Sequence, residues 1–334
     1  MDDSSEDLAQ TAVGAVIAAL VIICVALRFY ARHYTRSGFK TDDWLILLSL
    51  LLVIVTDAIV LYASGLAPNV AYIASTPGIE FTPAAELYTK IDYIGTVLFF
   101  LITSSTKLSI LLLYNRIFSV DGLLKRQIIA LIIAVAGYGI GTTVANLLNC
   151  IPLKYSWINN LDDPRYCFNY NNFWLATGIV EAVLDVLILL LPIGAVSKLQ
   201  LNVRKRFAIS LVFLTGAFSI ASGILKAYYG FIPNSRVPSF GNTSIWATVH
   251  LGTGIICACL PPAWPVFVLL WNFKKWSWVQ SISSRKDANS TSGGWSELRE
   301  RGSGRNMRQP PSAEEGLPAT SEGEYPSARV HQKV

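Results

Sequence analysis

The sequence predicts an all-α, polytopic membrane protein with seven transmembrane helices, and three observations predict it. Of its 334 residues, 52% are hydrophobic and only 15% charged, whereas a soluble domain carries about 25% charged residues. The mean hydropathy is +0.45, and the apolar residues gather in seven blocks of about 20 residues, the length that crosses a hydrocarbon core of about 30 Å. Finally, Lys and Arg concentrate in alternate connectors, as the positive-inside bias requires. A soluble helical core has no need of seven full-length apolar blocks joined by polar connectors.

Taken in order, the expected spans are residues 8–27, 44–64, 91–113, 128–148, 173–196, 207–229 and 245–271. The first follows the acidic stretch MDDSSED. With neither a basic leader nor a small-residue cleavage site, it reads as an uncleaved first helix. Before the second span comes KTDDW, whose Asp42 and Asp43 are expected to cap the positive helix end. The third ends in SSTKLSILLLYNRIF, with Lys107 inside the apolar run and Arg116 just beyond it. In the fourth, Gly137 and Gly141 are expected to let the helix pack closely against a neighbour. Pro192 in the fifth and Pro261, Pro262 and Pro265 in the seventh are expected to kink their helices.

Charge sets the expected orientation. Arg28, Arg32, Arg36, Lys40, Arg116, Lys125, Arg126, Lys198, Arg204, Lys205 and Arg206 lie in the odd-to-even connectors, against Lys90, Lys154, Arg165 and Arg236 in the others. Eleven against four places the amino terminus outside and the carboxyl terminus in the cytosol. The net charge of +5 is thus a topology signal, and no nucleic-acid partner is implied. Residues 1–7 are expected as a short extracellular terminus, 8–271 as the membrane domain and 272–334 as a cytosolic tail. That tail is rich in Ser, Gly, Pro, Arg and Glu, a composition that cannot offset its chain entropy by burial.

Asn242-Thr243-Ser244 is a glycosylation sequon in the last outer connector, whereas Asn289-Ser290-Thr291 falls in the tail. Cys150 and Cys167 bracket the second outer loop. In an oxidising compartment they are expected to form a disulfide, with two free thiols as the alternative. Cys24, Cys257 and Cys259 lie within spans, where a thiol behaves as a small hydrophobe.

Ionisable residues inside spans usually face other helices and mark function. Lys107 either snorkels toward the inner headgroups or pairs with a carboxylate, and Asp185 is the best candidate by depth. Asp57 is the other expected member of this charge network. Glu181 and Asp185 are four residues apart and share a helix face; two carboxylates there need a nearby cation to stay charged together. Glu181, Lys226 and His250 sit in the outer parts of their spans and, if they converge, form a polar cup opening outward that would serve as a ligand pocket. Enzyme signals fail in context: Ser104-x-x-Lys107 lacks companion motifs, and the histidines have no metal-binding spacing. No catalytic residue, metal or cofactor is expected.

RFYAR and DDW around the first loop, KLSILLLYNRIF ending helix 3, Asn149-Cys150 with Pro152, Trp157 and Cys167, DVLILLLPI followed by SKLQL and RKR, and the Pro-rich end of helix 7 occur in this order. Together they resemble the fungal rhodopsin-domain family of integral membrane proteins, over about residues 10–272. The resemblance implies a heptahelical fold, likened to G-protein-coupled receptors, with some members encoded beside secondary-metabolite genes. Where the family carries L-P-T-L-R-P, this chain reads LPPAWP, with Trp264 at the basic position. A retinal Schiff base would need a lysine in helix 7, and residues 245–271 contain none. The expected function is a non-retinal, receptor-like protein of the plasma membrane. Its expected partners are an extracellular small-molecule ligand or surface cue and a cytosolic signalling protein. The alternative is a transporter or accessory membrane protein of a metabolite pathway.

Overall fold

A computed structural model describes residues 3–64, 83–117, 122–157, 163–196, 203–239, 243–264 and 266. Asn242, Lys198, Pro265 and the whole of 272–334 lie outside these residues. Seven helices, each long and apolar enough to span a membrane, are present among the described residues. They are α1 (Asp3–Tyr34), α2 (Thr41–Ser64), α3 (Pro83–Ile117), α4 (Gly122–Leu147), α5 (Tyr170–Val196), α6 (Val203–Gly230) and α7 (Thr243–Trp264).

The helices overrun the apolar blocks, because a helix ends where its backbone groups find other partners and not where lipid ends. α3 starts eight residues earlier than expected. Its extra turns are polar, held by the Lys90–Glu86 pair at 2.7 Å and by Lys90 lying over the Trp157 ring. α1 likewise takes in most of the acidic segment that was expected to precede it.

α3 is the central helix: two-thirds of its span is buried, against one-sixth of α1 and of α2. Two apolar cores meet on it. One joins Val21 and Val25 of α1, Ile46 and Val53 of α2, Phe99, Phe100 and Ile102 of α3, and Leu251 and Ile255 of α7. The other joins Leu111 and Tyr114 of α3 to Ile128 and Val135 of α4 and to Leu184, Ile188 and Leu191 of α5. Elsewhere the helices present apolar side chains outward, as a lipid solvent demands. Exposed Tyr30, Tyr34, Phe39 and Trp44 ring one end of the bundle, and Tyr62, Tyr228 and Tyr229 the other. Trp44 and Tyr62 stand 18 residues apart on α2, about 27 Å at 1.5 Å per residue, close to the hydrocarbon thickness such aromatic belts flank.

Small residues set the helix crossings, though at other positions than expected. Gly137 and Gly141 face open space, whereas a Cβ at Gly139 would come within 2.5 Å of Ser104 Oγ. The α3–α4 contact therefore runs through Gly139. Gly178 meets Ala227 between α5 and α6, and Gly252 lies against Ile17 and Val21, joining α7 to α1.

Asp42 and Asp43 lie within the first turn of α2, and their main partners are not the amides of that turn. Arg28 donates to Asp42 Oδ2 at 2.7 Å and Asp43 Oδ1 at 2.8 Å. Arg32 reaches the same two oxygens at 2.6 and 3.2 Å. The i, i+4 spacing of the arginines puts both forks on one face. Arg28, fully buried, also donates from Nη1 to the Ala258 carbonyl at 2.7 Å. That carbonyl sits four residues before Pro262, which has no N–H to offer it. The guanidinium thus replaces the missing helix bond, and α7 runs through Pro261 and Pro262 as α5 runs through Pro192.

At the opposite end, Cys150 and Cys167 form a disulfide across a short antiparallel bridge. Ile151 N donates to Tyr166 O at 2.8 Å and Phe168 N to Asn149 O at 3.1 Å. Nearby, hydrogen bonds from the Arg165 side chain hold the Asp163 carboxyl down to about 2.

Candidate functional site

The third, fifth, sixth and seventh helices bring five ionisable side chains together in mid-bundle. Lys107 Nζ of α3 lies 2.6 Å from Asp185 Oδ1 and 3.6 Å from Glu181 Oε1, both on α5. Lys226 Nζ of α6 lies 2.6 Å from Glu181 Oε2. His250 Nε2 of α7 lies 3.3 Å from Glu181 Oε1 and 3.9 Å from Asp185 Oδ2. Glu181 is 2% exposed, Lys226 and His250 3%, and Lys107 4%. A single charge at the centre of a span costs about 2.5–3.5 kcal/mol on insertion scales. Here each charge has an opposite neighbour that offsets the cost.

The two groups read separately from the sequence are therefore one cluster, with Glu181 as its hub. Asp57 is not part of it: among the described residues it makes no ion pair, and its Oδ2 is buried without a hydrogen-bond partner. The outward cup is also corrected. Toward the disulfide end the cluster is closed by rings, with Lys226 Nζ 4.1 Å from the Phe99 centroid and 5.1 Å from that of Trp174. The space lies on the other side. A cavity of about 60 Å³ runs from Lys107, Asp185 and His250 past Ser219 to Tyr114 and Cys257, toward the α1–α2 loop end.

Other groups fix this arrangement. His250 Nδ1 donates to the Ser219 carbonyl at 2.9 Å, and Gly223 leaves room for the imidazole on α6. The Ser-Ser-Thr run before Lys107 binds α2: Ser49 and Ser105 hydroxyls are 2.7 Å apart and Thr106 donates to Ser49 at 3.1 Å. Ser109 donates to the Asp42 carbonyl at 2.7 Å. Arg116 anchors the end of α3 by donating to the Ser37 carbonyl at 3.2 Å. Sequence reasoning missed the Phe99 and Trp174 rings, which carry no periodic signal distinct from core packing. It also missed the Arg28–Asp42 network, whose signal was the i, i+4 arginine spacing. Among the described residues no group of three or more His, Cys, Asp or Glu side chains could hold a metal.

Seven spanning helices around a buried ionic cluster define a heptahelical integral membrane protein. A model of the fungal rhodopsin domain matches residues 27–269, and the chain belongs to that family. A polyenoic acids biosynthesis gene cluster protein of Metarhizium anisopliae is 29% identical over 263 residues, covering 74% of this chain and 70% of its own. A SAT4 family membrane protein of Emericella nidulans is 31% identical over 183 residues, 54% of this chain and 46% of its own. Receptor GIN3 of Arthrobotrys oligospora is 27% identical over 250 residues, 74% of this chain and 59% of its own. No solved structure matches the chain.

Proposed function

We propose that the protein is a non-enzymatic, receptor-like switch of the plasma membrane that responds to an extracellular small molecule or surface cue. Its amino terminus faces outward and its carboxyl terminus the cytosol, a reading supported by the eleven-to-four bias of basic residues. The observation that carries the proposal is the cluster of Lys107, Glu181, Asp185, Lys226 and His250, which ties α3, α5 and α6 through ion pairs and brings in α7 through the His250 imidazole. Such pairs have discrete made and broken states, so a cue that favours one helix arrangement shifts the population of both ends of the bundle. A relative named as a receptor supports the reading. Relatives named for biosynthesis clusters favour a second one, passage or handling of a pathway metabolite.

The two readings separate in one assay. Cells carrying the protein are exposed to candidate surface cues while cytosolic coupling and metabolite flux are recorded together. Coupling that disappears in Lys226→Met at unchanged surface level is the expected outcome. Flux without coupling selects the transport reading.

A further inference from the structure

Hydrogen-bond direction around His250 leaves one position open for a proton. A carbonyl oxygen only accepts, so Nδ1, 2.9 Å from the Ser219 carbonyl, must carry hydrogen. Nε2 then faces Glu181 Oε1 at 3.3 Å and Asp185 Oδ2 at 3.9 Å. Without a proton, its lone pair points at two carboxylates and no bond forms. With one, the imidazolium bonds Glu181 and approaches Asp185 Oδ2, a buried oxygen that has no hydrogen-bond partner. The cavity touches His250 and Asp185, and its volume of about 60 Å³ is room for a few waters at roughly 10–15 Å³ of such space apiece.

We propose that Nε2 of His250 is a proton-binding site, filled by water in the cavity beside Asp185 from the α1–α2 loop end of the bundle. A hydronium proton from the solvent at that end, relayed along the cavity waters, binds the Nε2 lone pair; the relay waters are left neutral and the cluster gains one positive charge. Glu181 and Asp185 from α5 face the imidazole, and the charged groups that hold those carboxylates are Lys107 from α3 and Lys226 from α6; Phe99 covers the imidazole on the disulfide side. Loading is therefore one-sided. Neutral His250 keeps its tie to α6 through Nδ1 and loses its tie to α5, so the α5–α7 contact follows the pH of one compartment. Imidazole is the side chain whose charge ordinarily changes between about pH 5 and 8. The inference is independent of the receptor reading, since a transporter would hold the same proton.

The test is nitrogen-15 NMR of histidine-labelled full-length protein in lipid nanodiscs between pH 5 and 9, with His250→Gln identifying the resonance among the three histidines. The expected result is conversion of His250 from imidazolium to the Nδ1–H neutral form within that range. Asp185→Asn should move the midpoint, because it removes one of the two carboxylates that face Nε2. In sealed vesicles the infrared signature of the imidazolium should respond to a pH jump on the α1–α2 loop side alone. A His250 that keeps one form from pH 5 to 9 overturns the site on the unaltered protein, whether or not the variant folds. An unmoved midpoint in Asp185→Asn, or a response from the disulfide side, overturns the cavity route.

Discussion

Glu181 answers to two lysines and the His250 imidazole, whereas Asp185 holds one cation closely, and this inequality should be measurable. Removing one partner of a buried pair strands a charge at a cost of about 3–5 kcal/mol. Lys107→Met should therefore lower the thermal midpoint of the purified protein, and adding Asp185→Leu should recover part of the loss. The expected coupling between the two sites is about 0.5–3 kcal/mol; strict additivity would show that Lys107 does not need Asp185. Depth along a span is legible in sequence, which is how Lys107 and Asp185 come to be considered together. Azimuth is not legible. Asp57 has a suitable depth but makes no ion pair among the described residues, and nothing in its neighbours' spacing marks that difference.

At the scale of elements, apolar block length made seven helices readable, and their ends were not, because polar turns such as 83–90 of α3 continue a helix beyond the lipid. Packing faces were equally hidden. A glycine pair at i, i+4 looks like a contact, yet Gly137 and Gly141 face outward and the lone Gly139 meets Ser104. Gly139→Val should then push α4 off α3 and reduce folded yield several-fold, since Ser104 Oγ and Cβ already fill that space and the Cβ cannot rotate aside. Gly137→Val, on the open face, should leave yield within the range of ordinary surface changes. Fluorescence-detected size exclusion of the two variants side by side decides the matter; equal losses would mean that valine in this helix, not contact, is the cause.

For the molecule as a whole, the basic bias predicts where each terminus lies. A reporter fused after Val334 should be active in the cytosol and one ahead of Met1 should be accessible from outside, and a lumenal carboxyl terminus would refute the orientation. The bundle also closes on itself. Gln10 donates to Ser244 at 2.7 Å, Gly252 seats Ile17, and Arg28 completes the proline-broken ladder of α7 at Ala258. Arg28 leaves the ribosome 230 residues before that carbonyl, an interval of roughly 10–50 s at ordinary elongation rates of about 5–20 residues per second. Throughout it the first helix has only Asp42 and Asp43 to hold its guanidinium, and its Ile17–Val21 flank lies bare to lipid. Assembly is thus sealed by α7, the last of the described helices, and a nascent chain interrupted before it leaves that flank of the bundle open.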